Sequence, residues 1–259
     1  MGSSLSVAKL LGPLRADPAG TAIFTDFDGT LAAIVDDPAA ARPLPGVVDV
    51  LAGLARRYGR VGVVSGRPAA FLQTHLGGLG LILSGLYGLE VADGAGRVEV
   101  VPGAQAWAAA VEQAAGAAEA DPRLDVERKG LSVTAHYRTD PAQARAAAAW
   151  AAGQAAATGL VVHAARMSYE LRPPVARDKG TVVLEAGAGH AQVCFLGDDR
   201  GDLSAFDALD RLAAGGATVA RVAVTSPEAP AELLDRADLV VDGPEGALAV
   251  LAALLSGER

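Results

Sequence analysis

Aromatic residues make up only 4 % of this 259-residue chain, and cysteine occurs once. The shortage of aromatics leaves alanine, valine and leucine to build the interior, within a hydrophobic fraction of 51 % that belongs to a globular chain rather than a disordered one. A single cysteine, Cys194, excludes an intrachain disulfide, gives no sign of an oxidising compartment and reads as a buried structural thiol. Basic residues are in the minority: 22 Lys and Arg stand against 30 Asp and Glu, a formal charge of −8. That balance argues against a nucleic-acid surface and requires a local positive pocket for any anionic ligand. The first residues, Met1-Gly2-Ser3-Ser4-Leu5-Ser6, lack a basic region followed by a long apolar run. Neither a secretion signal nor a membrane partner is therefore expected, and the chain reads as a cytoplasmic monomer. The same residues fit the loose N-myristoylation pattern, too short a match to carry weight.

What the chain does have is alternation. Extended and helical patterns take turns from Thr21 onward: Thr21 to Thr25 extended, Gly46 to Tyr58 helical, Val61 to Val64 extended, Pro68 to Leu76 helical, Leu81 to Leu83 extended. This predicts an α/β fold, a parallel sheet with helices on its faces. After Gly88 the rhythm changes. A helix-strand-strand unit occurs twice, first over Ala104 to Ala120, Leu124 to Glu127 and Ser132 to Tyr137, then over Pro141 to Ala157, Leu160 to Ala164 and Tyr169 to Leu171. It predicts an inserted α/β cap with an antiparallel sheet over residues 88–174, with residues 1–87 and 175–259 forming the core. The first rhythm then resumes with a helix from Lys179, a strand over Val193 to Leu196, a helix from Leu203 and strands near Val222 and Val240.

Four polar clusters follow apolar runs of the core pattern, where an open α/β sheet places its ligand-binding loops. In Thr25-Asp26-Phe27-Asp28-Gly29-Thr30, two carboxylates stand two residues apart after a strand, so both can face one reacting centre. One can attack phosphorus while the other gives and later takes a proton. Ser65-Gly66-Arg67 leaves the second strand, with Ser65 able to donate to a phosphoryl oxygen. Lys179, in Arg177-Asp178-Lys179-Gly180, can neutralise both a phosphate and a nucleophilic carboxylate. Gly197-Asp198-Asp199-Arg200-Gly201-Asp202 puts three acids in a short loop, suited to a hard cation. Singly, each has a plain structural reading: an Asp-Gly turn, a Ser-Gly turn, a solvated lysine, a helix cap. Their convergence favours chemistry.

In that order, these motifs resemble the haloacid dehalogenase superfamily of phosphatases. The resemblance implies a Rossmann-like core, Asp26 as nucleophile forming an aspartyl-phosphate, and Asp28 as general acid then base. It also implies Ser65, Gly66, Arg67 and Lys179 on the substrate side, and Mg²⁺ held through the Asp26 side chain, the Asp28 backbone carbonyl and Asp198, with Asp199 and Asp202 as further metal residues. Within the insertion, Arg128 to Arg138 and Glu170-Leu171-Arg172-Pro173, together with Gly85 to Glu90, resemble the trehalose-6-phosphate phosphatase family. This implies hydrolysis of trehalose 6-phosphate, with sugar contacts from Lys129 and Glu170, helped by Glu90, His136 and Arg138. The chain departs from that family's pattern at Tyr87, where histidine is frequent, and at Gly201 and Leu203 in the last acidic motif. Competing readings are hydrolysis or transfer on another sugar or pseudosugar phosphate, and a catalytically silent sugar-phosphate sensor.

Overall fold

A computed structural model describes residues 7–93, 95–165, 167–226 and 229–256. The myristoylation-like start lies outside these. The chain divides into two units, Met1–Val98 with Arg177–Arg259, and Glu99–Ala176.

The first unit is built on a mixed sheet. Its strands are β1 (Thr21–Thr25), β2 (Arg60–Val64), β3 (Ile82–Gly85) and β4 (Glu90–Ala92), then β10 (Gln192–Gly197), β11 (Thr218–Thr225) and β12 (Leu239–Asp242), and the edge strand β5 (Val98–Val100) straddles the division. Their spatial order is β12-β11-β10-β1-β2-β3-β4-β5, and β12 through β3 run parallel. From β1 the chain moves outward through β2 and β3, then returns on the other side at β10 and moves outward again. The topological switch therefore lies between β1 and β10, and the crevice outside the carboxyl ends of these two strands is where such sheets bind ligands.

Both faces of the sheet are covered, which is why its strands read as unbroken apolar runs. In β1, Ile23 joins one core cluster while Ala22 and Phe24 join the other; in β10, Cys194 and Leu196 face the first and Val193 and Phe195 the second. The first cluster takes in helices α1 (Val7–Ala16), α2 (Val47–Arg57), α3 (Ala69–Leu76) and α9 (Gly243–Leu255). The second takes in α6 (Lys179–Gly187), α7 (Leu203–Ala214) and α8 (Ala231–Arg236). Helix α2 shows the logic: Val47, Leu51 and Leu54 share its buried stripe, Asp49 sits in its first turn, and Arg56 and Arg57 end it in the sense the helix dipole favours. Cys194 is buried as expected, and burial pushes its thiol up to about 12.

The division between units falls at 98/99 and 176/177, not at 87/88 and 174/175 as the change of rhythm suggests. The physical reason is β4, which pairs antiparallel with β3 through Ser84↔Val91 and so extends the large sheet.

The second unit carries α4 (Ala108–Glu119), β6 (Asp125–Arg128), β7 (Val133–His136), α5 (Ala144–Thr158), β8 (Val161–Ala165) and β9 (Ser168–Arg172). Its antiparallel sheet has the order β6-β7-β9-β8. One face, with Val133, Ala135 and Leu171, packs on α4 and α5 through Val111, Ala114, Ala118, Ala147 and Trp150. The Trp150 indole donates to the Ala114 carbonyl at 3.1 Å, tying the two helices together. Alanine at these positions lets the helices lie close to the sheet, so the alanine-rich segments are packed elements.

Candidate active site

Asp26 leaves β1 with its N–H still bonded to the Leu196 carbonyl of β10, at 2.9 Å. Phe27 turns into the core, edge-on to Phe71, and a tight turn follows in which the Leu31 and Ala32 N–H groups both reach the Phe27 carbonyl. Gly29 holds that turn at φ +75°, and a Cβ there would lie 2.1 Å from Asp198 Oδ2. Glycine is what allows the two acidic loops to meet.

Lys179 is the first residue of α6, whose N-cap Asp178 accepts the Thr181 N–H at 2.7 Å. Its ammonium is buried, 2.7 Å from Asp202 Oδ1, 2.9 Å from Asp26 Oδ2 and 3.7 Å from Asp199 Oδ1. Asp202 also accepts the N–H groups of Asp198 and Asp199, while Asp199 caps the Asp202 N–H in return. Asp198 accepts hydroxyls from Thr30 at 3.3 Å and Ser226 at 3.1 Å. The electrostatics follow from four carboxylates gathered near one ammonium. Burial pushes Asp26 up to about 7 against the pull of Lys179, with Asp199 and Asp198 adding to the rise. Asp198 goes up to about 8, through burial and then the Asp202 and Asp199 charges. Burial likewise raises Asp202 despite Lys179. Burial works against charge on Lys179 as well, but Asp202, Asp26 and Asp199 outweigh it and hold the ammonium well above its ordinary value.

Oxygen atoms of Asp26, Asp198 and Asp202 all lie within 4.8 Å of one another. The excess negative charge and the hard oxygen donors fit a divalent cation. Among the described residues, these three acids come together by their side chains. Asp199 sits at their edge, and Asp28, expected at the metal through its backbone carbonyl, has its side chain engaged elsewhere. Its two oxygens take the Arg67 fork, Nε to Oδ2 and Nη2 to Oδ1, both at 2.7 Å. Ser65 follows β2 almost fully buried, its Oγ accepting the Arg67 N–H at 3.2 Å, so its own proton is the one it can offer a ligand. Gly66 lies where a Cβ would meet the Tyr87 ring at 2.6 Å. Glu90 Oε2 accepts the Ala69 N–H at the start of α3, at 2.9 Å.

In the second unit, the sheet face opposite α4 and α5 carries a polar row, Glu127↔Thr134↔Glu170↔His163, one residue from each strand. The Lys129 ammonium stands 3.6 Å from Glu127 and 3.8 Å from Glu170. His136 Nε2 is 2.9 Å from Glu127, Ser132 donates to Glu170 at 2.6 Å, and Arg172 bonds to His163 Nδ1. Lys129, His136 and Glu170 are thus brought together, while Arg138 follows β7, half-buried.

The trehalose-phosphatase family model matches residues 24–236, a span that includes every one of these positions. The chain belongs to that family. A trehalose-phosphate phosphatase from Mycolicibacterium paratuberculosis is 38 % identical over 242 residues, covering 83 % of this chain and 61 % of the relative. The chain thus spans about three fifths of that curated relative's length. The solved C-terminal domain of a C. albicans trehalose-6-phosphate phosphatase matches at TM-score 0.78 and 24 % identity, over 97 % of this chain and 98 % of that one. A haloacid dehalogenase-like hydrolase from Bacteroides thetaiotaomicron matches at TM-score 0.60 and 15 % identity, over 90 % and 99 %. The fold is therefore that of haloacid dehalogenase-like proteins.

Several residues of this trehalose-phosphatase family chain escape a reading of its sequence. Thr30 and Ser226 steady Asp198, but only their approach in space reveals it. Glu127 binds both Lys129 and His136, and strand register alone places it beside Glu170. Thr134, buried in the middle of the same row, has an Oγ1 without a hydrogen-bond partner.

Proposed function

We propose that the chain is a phosphatase that hydrolyses trehalose 6-phosphate to trehalose and inorganic phosphate. The observation that carries this reading is the buried Asp26 carboxylate, held 2.9 Å from the Lys179 ammonium at the switch point of the sheet, with Asp28 two residues on. In the first step an Asp26 oxygen attacks phosphorus and the ester P–O bond breaks, leaving an aspartyl-phosphate. Asp28 gives its proton to the departing sugar oxygen. In the second, Asp28 takes a proton from water as the water oxygen attacks phosphorus, phosphate leaves, and Asp26 is restored. Lys179 and the Ser65 hydroxyl balance the charge on the phosphoryl oxygens. Asp26, Asp198 and Asp202 would hold Mg²⁺, which when bound offsets the crowding of negative charge. The second unit, through Lys129, Glu170, His136 and Arg138, selects the sugar.

The test is phosphate release from a panel of phosphorylated mono- and disaccharides, with and without Mg²⁺, alongside rapid-quench trapping. Trehalose 6-phosphate should be turned over best, only with the cation, through an acid-stable, hydroxylamine-sensitive acyl phosphate that Asp26→Asn abolishes. Efficient turnover of a different sugar phosphate would replace the substrate; normal turnover by folded Asp26→Asn would sink the mechanism.

A further inference from the structure

Arg67 stands in the Ser-Gly-Arg motif, where a phosphate contact is the natural expectation. Its guanidinium is otherwise engaged. Nε and Nη2 hold the two oxygens of Asp28 at 2.7 Å each, and Nη1 donates to the Pro38 carbonyl at 2.7 Å. Its plane lies over the Phe71 ring, 4.7 Å from the centroid, and its side chain is only 11 % exposed. The backbone is tied as well: the Arg67 N–H donates to Ser65 Oγ, and its carbonyl accepts the Leu86 N–H at 2.9 Å. Every nitrogen of the fork is thus committed within the core unit, and one residue mechanically links Ser65 to Asp28.

We propose that Arg67 is a positioning residue: its planar fork sets the orientation of the Asp28 carboxylate, and so makes proton transfer to the leaving oxygen efficient. This rests on the acid-base role proposed above for Asp28. Alone on a glycine turn, a carboxylate that is about one-third exposed is free to rotate about its side-chain torsions. Two parallel N–H···O bonds fix both the position and the plane of the group, which a lysine point charge cannot do. Hydrolysis of the acyl phosphate also uses Asp28 and is common to every substrate, so the contrast lies in the first step, which kcat/KM reports and in which the gain depends on how much the leaving oxygen needs a proton. A sugar alkoxide is a poor leaving group and depends on Asp28, whereas p-nitrophenolate departs unprotonated.

That contrast supplies the experiment. Arg67→Lys and Arg67→Gln are compared with wild type on the preferred sugar phosphate and on p-nitrophenyl phosphate, measuring kcat, KM and inhibition by inorganic phosphate. Loss of correct placement should lower kcat/KM on the sugar phosphate by roughly ten- to a hundredfold, within the range that general acid-base catalysis and orientation supply. Both variants should be affected, because lysine restores the charge and not the fork. On p-nitrophenyl phosphate kcat/KM should fall only about threefold or less, and phosphate inhibition should hold within a similar factor. Weakened phosphate inhibition with raised KM on both substrates would overturn the proposal in favour of a direct phosphate contact. Equal losses of kcat/KM on both substrates would overturn it in favour of a folding role, as would full activity of Arg67→Lys in favour of charge alone. A wild-type chain that releases phosphate from no ester would sink the proposed function and this inference together, whereas active wild type with indifferent variants would sink the inference only.

Discussion

Gly29 contributes no side chain to the site, yet the geometry around Asp198 depends on it. At φ +75° an alanine would carry a strain of about 1–2 kcal/mol. Its Cβ would also stand within 2.4 Å of Asp198 Cγ and both carboxylate oxygens, so the acidic loop would have to retreat. Gly29→Ala should therefore lower the melting temperature by several degrees, by the scaling that relates a loss of this size to Tm. It should also weaken Mg²⁺ binding by about tenfold or more, as expected when a ligand is displaced from its place. Calorimetry and a metal titration check both. A folded Gly29→Ala protein with unchanged Mg²⁺ affinity would remove Asp198 from the cation site.

At the scale of elements, β1 and β10 were legible because each is an apolar run that stops at an acid, and burial on both sheet faces is what makes such a run. Asp26 and Asp198 were therefore visible as strand-end residues. Asp202 was visible as an acid, but not as the residue that accepts Lys179 and two backbone N–H groups, since that depends on how the loop closes. Helix α1 has Gly12 and Pro13 in its interior, which blurs its periodicity, and α9 is apolar enough around Ala247 to Leu255 to hide its buried stripe. Strands β4 and β5 have three residues each, too short for alternation to register. The polar row of the second unit is a further case: period 2 puts Glu127, Lys129 and Glu170 on candidate faces, and only the β6-β7-β9-β8 pairing makes them neighbours. If that row selects the sugar, Lys129→Ala or Glu170→Gln should reduce kcat/KM on trehalose 6-phosphate by roughly ten- to a thousandfold, equivalent to about 1.4 to 4 kcal/mol of transition-state binding. Turnover of p-nitrophenyl phosphate, which has no sugar to recognise, should change little. Equal loss on both substrates would assign these residues to folding instead.

For the whole molecule, the acidic cluster links stability, pH and cation. Asp26 and Asp198 are raised from 3.8 to about 7 and about 8, so the folded chain holds their protons more tightly than the unfolded chain does. Below the unfolded value both states are protonated and the two groups contribute nothing. As pH rises through the interval up to the folded values, the unfolded chain releases its protons first, and folding stability falls until the folded values are passed. Asp121 acts in the opposite sense, but its side-chain bond to Arg123 holds it down to about 2, so its effect is complete before this window opens. His75 and His163, lowered by burial from 6.5, also act in the opposite sense, and their effect is complete once pH passes that ordinary value. A divalent cation competes with the same protons, so its binding releases them and its stabilising effect grows as pH rises. The protein stripped of metal should therefore melt at a lower temperature at about pH 8.5 than at about pH 7, and added Mg²⁺ should raise Tm more at the higher pH. Scanning calorimetry in EDTA and in Mg²⁺ across this range reads both effects. Melting of the stripped protein that is indifferent to pH, or a Mg²⁺ shift that shrinks as pH rises, would show that the carboxylates beside Lys179 are not where proton and cation compete.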